Sequence, residues 1–192
     1  MTTVIEPELV RRAATGDPAA TAMLLTEVRP GLVRYCRARL GRIGGAYTTA
    51  DDVAQEVCLA VLRALPRYRD QGSPFAAFVY GIAGHKVADA QRAAIRDSAV
   101  TSTDAPLDQP DQAPGPEQQA VATDLARRLS VLLDRLPDLQ REIVLLRVAV
   151  GLSAEEVGTI VGMTAAAVRM AQSRALARLR TLAGSALDEV AA

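Results

Sequence analysis

The sequence has little of the residues that usually carry chemistry. Among 192 residues there is no tryptophan, a single lysine (Lys86), a single histidine (His85) and two cysteines, Cys36 and Cys58. A structural zinc site normally needs four Cys or His ligands, so we expect no metal site. The cysteines fall within helical apolar patterns, which favours two buried thiols over a disulfide. No phosphate-binding glycine loop, carboxylate cluster or nucleophile–base pair is visible, and we expect neither a cofactor nor an enzymatic activity.

Targeting and membrane segments are also missing from the pattern. Residues Met1 to Glu8 lack the basic-then-apolar order of a signal peptide, and no apolar run approaches the roughly 18 residues of a membrane span. The sequence therefore predicts a soluble, cytoplasmic chain without membrane contact. Strand signals are equally scarce, because there is little β-branched alternation and no Asn-Gly or Asp-Gly turn.

What the sequence does have is helical periodicity, in two blocks. Apolar residues recur at helical spacing over residues 5–96 and 121–187, whereas residues 97–120 have four prolines, five acidic residues and no basic residue. The sequence predicts an all-α protein of two small helical domains joined by a flexible acidic linker. The net charge of zero hides this division, since residues 1–96 carry 13 basic and 9 acidic groups. Neutrality therefore does not exclude a nucleic-acid-binding protein.

The second domain contains a helix-turn-helix pattern. Ser153 and Glu156 have the spacing of a capping box that opens a short helix, and this helix stops at Gly162. Thr164 then caps a second helix that begins at Ala165. A short helix, a turn with glycine and a second helix are typical of proteins that place the second helix in the major groove of DNA.

The second helix of this pattern has two faces on a helical wheel. One face is apolar and predicts burial of Val168, Ala171 and Ala175. The opposite face carries four arginines and no acidic residue, and arginine can donate two hydrogen bonds to a phosphate or a guanine edge. The alternative is an ordinary solvated helix, which would interleave glutamate with the arginines. The polar face consists of Arg169, Met170, Ser173, Arg174, Arg178 and Arg180.

Four of the six aromatic residues cluster in the first domain, at Tyr68, Phe75, Phe78 and Tyr80. One stripe of the helix that follows combines aromatic, polar and basic groups, a mixture that suits the capture of unpaired bases. For Phe75 and Tyr80 a place in the core is an equally good interpretation. The stripe consists of Phe78, Ile82, His85, Asp89, Arg92 and Arg96.

The helix predicted over residues 51–65 also has two faces. Its apolar side repeats valine every four residues, and its other side is acidic and polar with one leucine. From the residues alone, a solvated face and a protein-docking surface are equally good interpretations. The apolar side consists of Val53, Val57, Val61 and Leu65, and the acidic side of Asp52, Gln55, Glu56 and Leu59.

Together these segments resemble a bacterial RNA polymerase sigma factor of the extracytoplasmic-function (ECF) type, in the sigma-70 family. Asp51–Glu56 resembles the family's core-docking signature in region 2, and Phe78–Ala83 resembles its −10 melting segment. Segments within residues 136–157 resemble region 4. The likeness covers nearly the whole chain and is greatest to the actinobacterial sigma D and ShbA branch, over Val53–Cys58 and Gly81–Asp89.

The resemblance implies a promoter-specificity factor that binds core RNA polymerase, recognises the −35 and −10 elements of promoter DNA and promotes DNA opening. An anti-sigma factor is a further candidate partner. Residues 136–150 would contact the β flap, and the loop Tyr68–Pro74 would hold a flipped base of the −10 element. The residues implied to dock on the β′ clamp helices are Asp52, Gln55, Glu56 and Leu59. Those implied to bind the −10 element are Tyr68, Phe78, Ile82, His85, Lys86, Arg92 and Arg96, and those for the −35 element are Ser153, Arg169, Met170, Ser173, Arg174 and Arg178.

The sequence departs from the family pattern at one position of the melting segment and at one position just after it. Phe78 stands where relatives usually have tryptophan, and His85 stands where asparagine is common, which leaves the preferred −10 base open. Two other classes of protein compete with the sigma interpretation. A simple helix-turn-helix regulator would form a symmetric dimer, for which no dimerisation helix is visible. A nucleic-acid-modifying enzyme would need a catalytic constellation that the sequence lacks.

Overall fold

The computed structural model of the chain describes residues 5–40, 50–70, 72–100 and 128–191. Side chains are described to residue 96 in the third range and to residue 184 in the last. Helices dominate these four ranges and no strand occurs in them, which confirms the all-α prediction. Residues 97–100 continue a helix, and the rest of the predicted linker, residues 101–120, lies outside the described residues.

Four helices and a short 3-10 turn form the N-terminal unit. The second helix begins where Asp17 accepts hydrogen bonds from the amides of Ala19 and Ala20 at 2.9 and 3.1 Å. This cap, followed by Pro18, is a standard helix start. The helices are α1 (Pro7–Ala14), α2 (Pro18–Leu40), α3 (Ala50–Ala64) and α4 (Phe75–Val100), with the 3-10 turn at Leu65–Arg67.

The apolar side of α3 is buried as its spacing predicts. Val57 and Val61 are fully buried, and Val53 and Leu65 are each 2% exposed. Against them lies α2, whose buried residues include Leu32 and Cys36. Cys36 and Cys58 are both free thiols; Cys36 is buried as predicted, whereas Cys58 is only half-buried. Burial raises the pKa of the Cys36 thiol to about 12.

The C-terminal unit contains the predicted helix-turn-helix. Its first helix ends at Gly162, which has φ of +69° and so adopts the left-handed conformation that glycine tolerates best. Arg147 ties the preceding segment to the unit, because its Nε donates to Gln172 Oε1 at 3.0 Å and its guanidinium also donates to the carbonyl of Leu152. The helices are α5 (128–134), α6 (Asp138–Val144), α7 (Ala154–Val161) and α8 (Ala165–Ala191), with a π-helical turn at Leu145–Val150.

The two units pack directly on each other. Helix α2 contacts the π-helical turn, and α4 contacts α7. Ile143 and Leu146 are fully buried and belong to the same apolar cluster as the core of α2, α3 and α4. A smaller cluster around Leu133 and Ala175 holds α5, α6 and α8 together. The sequence predicted two helical domains but gave no sign of this packing between them.

Candidate nucleic-acid interface

The orientation of α8 is fixed by hydrogen bonds at the turn that precedes it. Ser153 Oγ accepts from the Glu156 amide at 3.1 Å, while Glu156 Oε2 accepts from the Ser153 amide at 2.7 Å, which is the predicted capping box. After α7, the amide of Met163 donates to the carbonyl of Gly158 at 2.8 Å. Thr164 Oγ1 then accepts from the Ala167 amide at 3.2 Å and caps α8. The side-chain caps at the starts of α7 and α8 are therefore those that the sequence pattern predicted, and a backbone bond joins the end of α7 to the turn.

The two faces of α8 separate as the helical wheel predicted. Val168 and Ala175 are fully buried and Ala171 is 6% exposed. The opposite face is open, and Met170 at its centre is 61% exposed. The predicted −35 residues on this exposed face are Arg169, Met170, Ser173, Arg174 and Arg178. Ser153 lies apart from them at the start of α7, half-buried, with its hydroxyl oxygen engaged in the cap.

An acidic side chain reaches the arginine face from the neighbouring helix. Glu155 Oε1 accepts from Arg169 Nη2 at 2.6 Å, and both side chains are more than half exposed. A hydrogen bond to its own amide and the charge of Arg169 hold the pKa of the Glu155 carboxyl below its usual value. The wheel of α8 alone predicted a face without acid and therefore missed this pair.

The aromatic residues at the start of α4 form a compact cluster. The ring centroids of Tyr68 and Phe78 lie 5.0 Å apart, those of Tyr68 and Phe75 lie 5.2 Å apart, and Phe75 and Phe78 lie at 5.6 Å. Phe75 is buried, whereas Tyr68 and Phe78 are half-buried and keep part of their rings at the surface. Burial and then the charge of Asp70 raise the pKa of the Tyr68 hydroxyl. Tyr80 belongs to the core, where its ring meets Tyr35 edge-on at 5.5 Å.

The remaining −10 candidates extend along α4 from this cluster. Ile82 is half-buried, and His85, Arg92 and Arg96 are exposed. Arg92 forms an ion pair with Asp89 one turn before it. Gln71, in the loop implied to hold a base, lies outside the described residues.

The acidic side of α3 is exposed and contacts Lys86 of α4. Asp52, Gln55 and Glu56 are all exposed, and Leu59 keeps 44% of its surface open. Glu56 Oε2 accepts from Lys86 Nζ at 3.2 Å. The implied polymerase-docking surface and the implied DNA surface thus share an ion pair, which no helical wheel of either helix could reveal.

A metal site and a membrane-spanning helix are both absent from the described residues. No group of three or more His, Cys, Asp or Glu side chains in these ranges is arranged to hold a metal ion. Within the same part of the chain, every helix is too short or too polar to cross a bilayer.

The fold and the exposed surfaces define a class of protein, namely DNA-reading transcription factors with a helix-turn-helix. Comparison with models of protein families identifies the family within this class. The family model described as Sigma-70 region 2 matches residues 24–96, and the one described as Sigma-70, region 4 matches residues 132–181. The first span contains the aromatic cluster and the acidic side of α3, and the second contains α7 and the arginine face of α8.

Comparison with individual proteins identifies the type of sigma factor within this family. The chain is 55% identical to the ECF RNA polymerase sigma factor ShbA of Streptomyces griseus, over 95% of this chain and 96% of that protein. It is equally identical to SigD of Mycobacterium tuberculosis, over 90% and 81% of the two chains. The solved structure of CnrH in complex with the cytosolic domain of CnrY superposes with a TM-score of 0.66 and 25% identity, covering 93% of this chain and 96% of that one. The chain belongs to the ECF family of RNA polymerase sigma factors, and its function is promoter recognition for that polymerase.

Proposed function

We propose that this sigma factor reads a −35 element with α8, captures an unpaired −10 base beside the aromatic cluster of α4, and docks on core RNA polymerase through α3. In this proposal residues 5–96 form the −10 and core-docking domain, residues 121–187 form the −35 domain, and residues 97–120 link them. The protein acts by binding alone and opens DNA without covalent chemistry of its own. The observation that carries the proposal is the exposed arginine face of α8 on a capped helix-turn-helix.

Readout of the −35 element rests on the side chains of the first three turns of α8. Arg169 and Arg174 can each donate two parallel hydrogen bonds to a guanine edge or a phosphate. Met170 and Ser173 lie on the same exposed face and supply an apolar and a hydroxyl contact. Ser153 at the start of α7 is the proposed contact to the DNA backbone; its hydroxyl oxygen accepts the cap, and its side chain also bonds the Glu155 carboxyl.

Capture of a −10 base rests on the half-exposed rings of Tyr68 and Phe78. Every base has a π-face, and stacking on an aromatic ring contributes about 1–3 kcal/mol per base. Ile82 and His85 continue the same surface, and Lys86, Arg92 and Arg96 bring positive charge for phosphates along α4. Because the ring of Phe78 packs on Tyr68 and Phe75, its position is set before DNA arrives.

Docking on core polymerase rests on the acidic side of α3, Asp52, Gln55, Glu56 and Leu59. Three polar side chains around a leucine that is 44% exposed match the apolar centre and polar rim of a protein interface. The β′ clamp helices are the proposed partner of this surface, and the β flap is the proposed partner of residues 136–150. An anti-sigma factor is the remaining proposed partner, by analogy with CnrH, which was solved with the cytosolic domain of CnrY.

Transcription from a promoter library tests the function as a whole. Purified chain is added to core polymerase and random promoter fragments, and the transcript start sites are sequenced. Start sites that share spaced −35 and −10 motifs support the proposal, and the absence of any stimulated transcript contradicts it.

A matched pair of variants tests the docking surface. Asp52→Asn combined with Glu56→Gln removes two charges from the acidic side of α3, and we expect core binding to weaken about tenfold to a hundredfold because hydrogen bonds to charged groups are lost. The control is Asp51→Asn, which removes a neighbouring charge outside the four proposed docking residues; this carboxylate pairs with Arg37 at 2.7 Å. Unchanged core affinity in the double variant, measured by fluorescence titration, would refute the assignment.

A further inference from the structure

A basic cleft lies between α3, the 3-10 turn that follows it, and α4. It has a volume of about 470 Å³, and its lining includes the cations Arg63, Arg67 and Lys86 together with Glu56 and Leu59. Arg63 and Arg67 are exposed, and Lys86 is half-buried. With three cations and one carboxylate, the cleft keeps an excess of positive charge although the acidic side of α3 borders it.

Two of these cations have no partner within the part of the chain that the structure describes. Lys86 Nζ pairs with Glu56 Oε2 at 3.2 Å, but the guanidinium groups of Arg63 and Arg67 form no ion pair or hydrogen bond with another described residue. Arg69 differs from them, because two backbone carbonyls accept from its Nη1 at 3.0 and 3.1 Å. Each unpaired guanidinium therefore presents its N–H donors to solvent, in the fork geometry that matches a phosphate.

The cleft continues the surface that carries the aromatic cluster. Arg67 directly precedes Tyr68, whose ring centroid lies 5.0 Å from that of Phe78. Lys86 lies about two turns beyond Phe78 on α4, or about 12 Å along the helix axis. At the stacked spacing of about 3.4 Å per nucleotide, this distance corresponds to roughly three or four nucleotides. A cationic groove beside aromatic rings is the arrangement with which proteins hold single-stranded nucleic acid.

We propose that Arg63, Arg67 and Lys86 bind successive backbone phosphates of the unpaired promoter strand, next to the base captured at the aromatic cluster. This inference rests on the proposed function, because it takes the captured −10 base from there. An arginine can donate two parallel hydrogen bonds to one phosphate. Lys86 can exchange Glu56 for a phosphate at small cost, since their ion pair is exposed to solvent. Contacts to the backbone hold the strand without reading its sequence.

The sign of the charge favours a nucleic-acid strand over a protein as the occupant. The acidic side of α3, with Asp52 and Glu56, suits a partner surface that is basic. The neighbouring cleft needs an anionic partner, so a protein surface of one sign cannot match both. Phosphates provide negative charge at regular spacing along a strand. A single strand can also bend into a cleft between two helices, whereas a duplex is stiff over about 150 base pairs.

A double variant that removes both unpaired charges tests the site. Arg63→Gln combined with Arg67→Gln changes two exposed side chains, so we expect the fold to be unaffected. The matched control is Arg11→Gln combined with Arg29→Gln, which removes two exposed cations that do not line this cleft. A second variant, Arg63→Lys combined with Arg67→Lys, keeps both charges in place.

Titrations of the free full-length chain with two fluorescent probes measure the contacts. One probe is a short thymidine strand, and the other is a duplex of the same length. For single strands, the logarithm of the affinity falls against the logarithm of the salt concentration by about 0.7 per phosphate contact. On the strand we expect the glutamine pair to lower this slope by about 1.4, so that between about 50 and 200 mM salt it loses about sevenfold less affinity than wild type. The lysine pair and the control should keep the wild-type slope on the strand, and all variants should keep it on the duplex.

Three results would overturn the proposal. The first is an unchanged slope of the glutamine pair on the strand, and the second is an equal fall on the duplex, which indicates a site for DNA of any form. Tripolyphosphate is the probe for a free ligand. If the glutamine pair loses tripolyphosphate binding but keeps the wild-type slope on the strand, the cleft is a site for free phosphates instead.

The design separates failure of the cleft from failure of the proposed function. These titrations need neither polymerase nor a promoter sequence, so the cleft is judged even if the chain stimulates no transcription, a result that would contradict the function alone. Should the glutamine pair fail to fold by circular dichroism, the single variant Arg67→Gln replaces it. Its slope on the strand should fall by about 0.7, and a wild-type slope would again overturn the proposal.

Discussion

Replacing Gly158 by alanine tests whether the turn before α8 is set by close packing. Gly158 lies within α7, and a methyl group added there would come 2.5 Å from the carbonyl oxygen of Met163 and 3.6 Å from the amide nitrogen of Ala165. The first distance is about 1 Å shorter than an ordinary contact, and the atom it meets belongs to the backbone rather than to a side chain that can rotate away. The turn that leads into α8 must therefore move.

Two effects of opposite sign determine how Gly158→Ala changes the free energy of unfolding. Alanine is the better helix former by about 1 kcal/mol, which favours the variant. Forcing a methyl group into a filled site costs about 1–3 kcal/mol, because neighbouring atoms must shift. The second effect is the larger one here, since the Met163 amide is also bonded to the Gly158 carbonyl at 2.8 Å and resists displacement. We expect a net loss of about 1 kcal/mol in the free energy of unfolding, together with weaker −35 binding.

Gly184→Ala is the matched control. Gly184 lies in α8, and a methyl group added there meets nothing within 4 Å. Only the helix-propensity effect operates at this position, so we expect stabilisation by up to about 1 kcal/mol. Denaturant unfolding followed by circular dichroism measures both variants, and a gel-shift titration on a −35 duplex measures binding. A Gly158→Ala protein as stable as Gly184→Ala would refute the packing argument.

Two further predictions concern single side chains. Arg174→Ala should lose about 1–3 kcal/mol of promoter binding and relax base preference at one −35 position, as measured by titrations on a set of single-base variants; an equal loss on every sequence would indicate a phosphate contact instead. Iodoacetamide at pH 8 should modify the half-exposed Cys58 before the buried Cys36, because burial raises the pKa of Cys36 to about 12 and keeps it protonated. Peptide mass spectrometry of a time course measures the order, and faster labelling at Cys36 would contradict it.

Local patterns in the sequence predict those features whose cause is also local. The spacing from Ser153 to Glu156 predicts the capping box because both partners lie within one turn. The four-residue repeat of α3 likewise predicts that Val57 and Val61 are buried. In each case the interacting groups are separated by three or four residues, so a helical wheel contains all the information needed.

Contacts between helices are the features that the sequence did not predict. A wheel shows that a face is buried but not which element covers it, so the packing of α2 on residues 142–150 is invisible in either segment alone. Glu155 and Arg169 are 14 residues apart, and Glu56 and Lys86 are 30 apart. Each pair depends on the crossing of two helices, which is decided by the packing of the whole fold.

At the proposed DNA surfaces, as in the chain as a whole, several positive charges are balanced by negative ones. Lys86, Arg92 and Arg169 each already pair with a carboxylate, from Glu56, Asp89 and Glu155 respectively. All three pairs are solvent-exposed, and such pairs contribute only about 0–1 kcal/mol each, so a phosphate can displace the carboxylate at small cost. That cost still applies to every DNA sequence, and it lowers affinity for arbitrary duplex, where phosphate contacts supply nearly all of the binding. At a promoter, base contacts by α8 and stacking on Tyr68 and Phe78 add to the phosphate contacts. Because the same cost applies at a promoter, internal pairing lowers both affinities by the same factor, and the preference for promoter DNA comes from these base contacts and the stacking.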